Sequence, residues 1–157
     1  MVNVVVTFLA SFLIFFLIGG LFVLWFIDGK IKKEQVLHAL LACYASWLFA
    51  SVIKEFFPRV RPFLIDGYKT LTLTVPQDSA FPSEHTTFAF ALAVTVFLHD
   101  RKIGTWFLVA ALLVGVGRVL ANVHYPVDIL GGAFLGTIVA VIVEKIHPFQ
   151  LLRGRKS

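Results

Sequence analysis

VNVVVTFLASFLIFFLIGGLFVLWFI, residues 2–27, runs for 26 residues without a charge. At 1.5 Å per residue it reaches about 39 Å, enough to cross a hydrocarbon core of about 30 Å. It is too long for a signal-peptide apolar core and has no basic leader or small-residue cleavage site, so it reads as a retained spanning helix. Further along, Gln35 to Ile53 gives 19 more residues without Asp, Glu, Lys or Arg, and Ile103 to Gly117 gives 15. Val119 to Val143 is broken only by His124, Pro126 and Asp128. The remaining apolar run, Thr86 to Leu98, has 13 residues and covers about 20 Å. That helix must start below the membrane surface or follow a turn buried in protein, because polar loops are tolerated at depth only against protein or a wet cavity. The pattern predicts an all-α integral membrane bundle, a single domain over 1–157, with about five transmembrane helices near 2–27, 35–54, 84–98, 103–121 and 127–144.

Composition agrees. Of the 157 residues, 59% are hydrophobic and 15% charged, against about 45–50% and 25% in soluble globular chains. The mean hydropathy of +0.89 comes from the whole length, which argues against a soluble enzyme on one anchor. No charge run or low-complexity tract suggests disorder or a nucleic-acid partner. Cys43 is the single cysteine, so one chain can build neither a disulfide nor a cysteine zinc site.

Five spans divide the charges between two sides. One side carries Lys30, Lys32, Lys33, Arg101, Lys102, Lys145, Arg153, Arg155 and Lys156 against Asp28, Glu34, Asp100 and Glu144. The other carries five cations, Lys54, Arg59, Arg61, Lys69 and Arg118, balanced by Glu55, Asp66, Asp78, Glu84 and Asp128. The whole surplus of +5 therefore lies on the first side. The positive-inside rule makes that side, with the C-terminus, cytoplasmic, and the amino terminus external, in a multi-pass plasma-membrane protein. Apart from His38, no ionisable residue lies well inside a span, unlike a proton-coupled transporter.

The neutral external side holds the residues with chemistry. Lys54 ends the second span; after six intervening residues comes Arg61-Pro62. The third span opens with Pro82-Ser83-Glu84-His85. The fourth ends at Arg118, followed by His124 and Asp128. Pro58 and Pro62 bias Arg61 to extended backbone and turn it back over the helix ends. An Arg fork suits phosphate, and Lys54 acts as a point charge. Ser83 is a natural N-cap before exposed amides that form an anion site. Arg118 and His124 share a site only if the helix ends between them, and Asn122 to Pro126 supplies that break. Pro126 fits the first position of the next helix, placing Asp128 in its first turn. The i, i+4 spacing then lets Asp128 hold one imidazole nitrogen of His124 and leave the other free as base or nucleophile.

In order, K-x(6)-R-P, P-S-x-H and R-x(5)-H-x(3)-D resemble the type 2 phosphatidic acid phosphatase superfamily, which shares its core with vanadium haloperoxidases; the likeness spans Lys54 to Asp128, about half the chain. The resemblance implies that His124 is the nucleophile forming a phosphohistidine, that Asp128 orients it, and that His85 protonates the leaving oxygen. It implies that Lys54, Arg61, Ser83 and Arg118, with amides near Glu84 and His85, hold the phosphoryl oxygens; it implies no metal and no cofactor. Glu84 stands where the general pattern has Gly, which is similar to the bacitracin-resistance branch, the undecaprenyl-diphosphate phosphatases. The implied substrate is a polyprenyl diphosphate taken laterally from the outer leaflet, with phosphatidate or phosphatidylglycerophosphate as the alternative within the class. A lipid-binding or transport protein without turnover is a further alternative, and intact His85, His124 and Asp128 argue against it. Gly117 stands where Ser often precedes the arginine, and members commonly have six spans.

Other residues have simpler expected roles. Arg59 and Lys69 should meet lipid headgroups, Asp66 and Asp78 should be solvated loop residues, and His38, His99 and His147 should be interfacial. Gly132-x-x-x-Gly136 fits packing inside the bundle better than a dimer face, although oligomeric state is not fixed. Most of the 17 Phe should face lipid.

Overall fold

The computed structural model describes residues 2–27 and 30–146. The cytoplasmic placement expected for Arg153, Arg155 and Lys156, and the interfacial position of His147, concern residues outside these. The first span is α1 (Val2–Thr7), a π-helical turn (Phe8–Phe12) and α2 (Leu13–Ile27). Then come α3 (Lys30–Phe56), a short α4 (Pro62–Asp66), α5 (Glu84–His99), α6 (Arg101–Leu120) and α7 (Pro126–Ile146).

Among the described residues, four helical stretches are long and apolar enough to cross a membrane: Val2–Ile27, Lys33–Phe56, Arg101–Leu120 and Pro126–Ile146. Only 28–39% of each apolar stretch is buried inside the protein. Phe15, Phe16, Phe26 and Phe134 point outward, at 61, 64, 83 and 69% exposure. Helices that are apolar on their outer faces belong in lipid, and the protein is a multi-pass membrane bundle.

The expected third span, α5, is different. Its 16 residues reach about 24 Å, and it lies at the centre, packed against α3, α6 and α7. Ala89, Ala91, Leu92, Ala93 and Val96 are buried at 0–1% exposure. Pro82 and Ser83 ahead of it are buried too, so the helix begins against protein. The small residues permit close approach. A Cβ on Gly136 would collide with the Thr87 carbonyl oxygen, and one on Gly132 would stand 2.7 Å from that of Ser83. The Gly132-x-x-x-Gly136 face therefore packs on α5 within the bundle, as its spacing suggested.

Candidate active site

One end of the bundle gathers the candidate residues. Lys54 lies in the last turn of α3. Arg61 is extended (φ −76°, ψ 151°), with Pro62 opening α4, so the chain turns back as the two prolines require. α6 stops at Leu120, Asn122 takes a left-handed conformation (φ 61°), and Pro126 begins α7. This break carries Arg118 and His124 to one site. Lys54, Arg61, Ser83, Arg118, His124 and Asp128 are all buried, at 0–8% exposure. Buried charge is tolerated only when paired or hydrogen-bonded, so their partners decide what the site can do.

The His124 ring has a defined tautomer. Nδ1 lies 2.8 Å from the Ala80 carbonyl oxygen, which only accepts, and Nε2 lies 3.2 Å from Nη1 of Arg61, which only donates. Nδ1 therefore carries the proton and Nε2 presents its lone pair. Burial lowers this imidazole to about 4; Asp128 opposes the shift, while the Arg118 and Arg61 charges add to it. The ring is thus neutral near pH 7.

Asp128 is placed less directly than the i, i+4 spacing suggested. Its Oδ2 is 3.6 Å from Nδ1 of His124 and accepts the Tyr125 backbone N–H at 2.8 Å. The carboxylate caps α7 while facing the imidazole, and the Ala80 carbonyl is the nearer partner. Its fully buried Oδ1 has no hydrogen-bond partner among the described residues; Nε of Arg59 lies 3.6 Å away. Arg59 also lies over the Tyr125 ring, 4.7 Å from its centroid. Expected only to meet headgroups, Arg59 borders the site instead.

The cations converge on a carboxylate taken from sequence as loop solvation. Nζ of Lys54 donates to Asp78 Oδ2 at 2.5 Å and to the Ser79 carbonyl at 2.6 Å. Nη2 of Arg61 donates to Asp78 Oδ1 at 2.7 Å, Nε to the Asp78 carbonyl at 2.8 Å, and Nη1 to the Val123 carbonyl at 2.9 Å. Burial pushes the Asp78 carboxyl up, but the hydrogen bonds and charges of Lys54 and Arg61 outweigh it and hold the group below its ordinary value. No pattern near Asp78 marks it, since its partners lie 24 and 17 residues away. Asp66, also expected to be solvated, accepts both hydrogen bonds of the Asn122 amide at 3.0 Å and steadies the turn before His124.

Arg118 is held by the first span. Nη1 donates to the Ala10 carbonyl at 3.2 Å, within the π-helical turn, where a wider ring of backbone bonds exposes a carbonyl. A Cβ on Gly117 would stand 2.7 Å from Ala10 N and Leu9 C, so the missing side chain lets this turn approach the site.

Ser83 sits at the N-cap position of α5, yet its side chain makes no capping bond; its Oγ accepts from Thr86 Oγ1 at 3.1 Å. The first-turn amides of α5 keep the donor character of a helix start. Glu84 and His85 are half-buried. Lys54, Arg61 and Arg118 act electrostatically on both, Asp78 also on Glu84 and His124 also on His85. Beside the site, Phe56, Phe57, Pro58, Arg59 and Phe81 line an open groove.

Residues 35–151 match the PAP2 superfamily. The chain is 32% identical to the bacitracin transport permease protein BcrC of Bacillus licheniformis over 143 residues, 91% of this chain and 70% of that one. It is 29% identical to the undecaprenyl-diphosphatase BcrC of Bacillus subtilis, covering 82% and 68%. Among solved structures it resembles Aquifex aeolicus LpxE, with a TM-score of 0.76, 28% identity and coverage of 92% and 86%. With three buried cations and a neutral histidine at one end of a helical membrane bundle, and with more than half its length matched, the chain belongs to the PAP2 superfamily and is a membrane phosphatase.

Proposed function

We propose that this phosphatase hydrolyses a polyprenyl diphosphate, undecaprenyl diphosphate in particular, to the monophosphate and inorganic phosphate through a phosphohistidine on His124. The observation that supports this most is the His124 tautomer: Nδ1–H is held by the Ala80 carbonyl and the lone pair of Nε2 lies beside Arg61. That nitrogen is a neutral nucleophile at the edge of a cationic cradle.

The terminal phosphoryl group exchanges for the Asp78 carboxylate on Lys54 and Arg61 and gains Arg118, the Ser83 hydroxyl and the first amides of α5. These groups stabilise charge that builds on its oxygens, the role of cation clamps in phosphoryl transfer. Nε2 attacks phosphorus, the bond to the bridging oxygen breaks, and His85, charged as an imidazolium once the bound phosphates offset the surrounding cations, gives that oxygen its proton. Asp128 offsets the positive charge of the phosphorylated ring. Water then attacks the phosphohistidine, returning a proton to His85 and releasing phosphate. The aromatic groove at the end of α3 suits the first isoprene units, so the tail stays in the bilayer.

The charge asymmetry of the chain supports an external site and a cytoplasmic C-terminus. With Cys43 replaced, an impermeant thiol reagent applied to intact cells should label Lys69→Cys and spare Lys102→Cys; the reverse pattern overturns this orientation. The substrate is tested by phosphate release from undecaprenyl diphosphate, phosphatidylglycerophosphate and phosphatidate in the same mixed micelles. A preference of about 10-fold or more in kcat/KM for the diphosphate is expected, roughly 1.4 kcal/mol in transition-state binding. Equal rates on all three overturn the substrate assignment.

A further inference from the structure

His38, His99 and Glu144 meet at the end of the bundle remote from the site just described. His38 lies on α3, His99 ends α5 and Glu144 lies in the last turns of α7. Lys54, His85 and Asp128 lie on the same three helices 16, 14 and 16 residues away, so about 21–24 Å separates the clusters. Nδ1 of His38 is 3.2 Å from Glu144 Oε2, and Nε2 of His99 is 3.7 Å from the same oxygen. One nitrogen from each ring and one carboxylate oxygen all lie within 4.8 Å of one another. His38 is 1% exposed, not interfacial as sequence suggested, and His99 and Glu144 are partly buried.

We propose that these three side chains bind a divalent transition-metal ion of the zinc type, which ties α3, α5 and α7 together away from the phosphatase site. Ligands about 2.0–2.1 Å from a tetrahedral zinc lie roughly 3.3–3.5 Å apart, so the two histidine–glutamate spacings need only small adjustment, and the two rings, within 4.8 Å of each other, draw together on the ion. The tautomer of His99 supports coordination. Its Nδ1 lies 3.0 Å from the Thr95 carbonyl oxygen, so Nδ1 carries the proton of the neutral ring and the Nε2 lone pair faces Glu144. A ring N–H held by a backbone carbonyl, with the other nitrogen turned to the cluster, is the usual outer-shell support of a metal-binding histidine. Gln35, 1% exposed, donates to the Val96 carbonyl at 3.4 Å and pins this end of α5 to α3. Two imidazoles and one carboxylate select zinc, cobalt or nickel over magnesium or calcium. The fourth position is open to water.

The test uses the full chain in detergent micelles, stripped with chelator and reloaded with zinc. About one zinc per chain should survive chromatography in metal-free buffer, and Tm should rise by about 5 °C or more over the stripped protein. His124→Ala should bind as wild type does, whereas His38→Ala/His99→Ala should lose both the metal and the Tm shift. Cobalt should give the visible absorption of a four-coordinate site in wild type, and His99→Cys should add a sulfur-to-cobalt charge-transfer band. That band reports coordination even if the double variant folds poorly. No stoichiometric zinc in wild type, zinc retained by the folded double variant, zinc lost from His124→Ala, an equal response to magnesium, or no new band in His99→Cys overturns the proposal.

Discussion

Nη1 of Arg61 lies 3.2 Å from Nε2 of His124, so a cation of the proposed phosphate cradle also fixes the direction of the lone pair on the proposed nucleophile. The same guanidinium reaches the Val123 carbonyl and both the carbonyl and carboxylate of Asp78. It joins the break after α6 to the loop before α5, so charge and orientation come from one side chain.

Arg61→Lys keeps the charge and removes the fork. A single ammonium cannot satisfy the Val123 carbonyl, Asp78 and His124 together. kcat should fall by about 10²–10³-fold, the loss typical of one oriented donor at developing charge, with a smaller change in KM. Steady-state kinetics with folding checked by Tm decides; a fall below about 10-fold shows that charge alone suffices.

The pH dependence follows from the depressed His124 value. Activity needs a neutral ring, so the acid limb of kcat/KM should lie near 4 and not near the ordinary 6.5, once the ionisation of the substrate is accounted for. Stability has the same sign. His124 remains neutral in the fold between about 6.5 and 4, where the unfolded chain takes up a proton. Its contribution is complete above 6.5 and is lost as pH falls through that window. His124→Gln should flatten this part of the Tm profile.

Asp78 occupies the cations that a phosphoryl group would use. Asp78→Ala removes an internal competitor, so vanadate or inorganic phosphate should bind about 3–10-fold more tightly, roughly 0.7–1.4 kcal/mol. kcat should fall because Arg61 loses its anchor. Weaker binding of both anions would instead make Asp78 solely a scaffold for Lys54 and Arg61.

These cases show what the sequence reveals. The membrane helices, the break at Asn122 to Pro126 and the convergence of Lys54, Arg61, Arg118 and His124 follow from apolar run lengths, proline positions and local spacing. Asp78, Arg59 and the His38–Glu144 pair are illegible there, because each acts through partners brought together by helix packing; His38 and Glu144 are 106 residues apart. The π-helical turn has no composition signal either, and its reason appears only when Gly117 lets Ala10 reach Arg118. The i, i+4 rule correctly put Asp128 beside His124, but could not reveal that Ala80 would hold Nδ1 more closely.

Gly117→Ala tests the contact with the first span. The new Cβ would meet backbone atoms of Leu9 and Ala10 at 2.7 Å, which cannot rotate away. A loss of about 1–3 kcal/mol is expected, as for overpacking elsewhere, together with reduced kcat as Arg118 loses the Ala10 carbonyl. Unchanged Tm and kcat would mean that the first span shifts freely past α6.

Glu84 sets the last and most specific expectation, that of substrate choice. Its half-buried carboxylate opens α5 among Lys54, Arg61, Arg118 and Asp78, and among the described residues it has no ion-pair partner within 4.0 Å. A monoester bound to the three cations gains nothing from another negative charge nearby. A diphosphate places a second phosphoryl group beyond the first, and a protonated Glu84 can donate a hydrogen bond to it or to the bridging oxygen as that bond breaks. Glu84→Gly should therefore reduce diphosphate turnover while leaving phosphatidate turnover nearly unchanged. If Glu84 only complements the dipole at the start of α5, worth about 0.3–1 kcal/mol, its loss lowers stability slightly and changes the ratio of kcat/KM values by less than about 3-fold, roughly 0.7 kcal/mol. The two outcomes separate on that ratio, measured with both lipids in one micelle system. Glu84→Gln adds a control: it keeps a hydrogen-bond donor but cannot give up a proton, so retention of the diphosphate preference assigns Glu84 to binding, and loss assigns it to proton transfer.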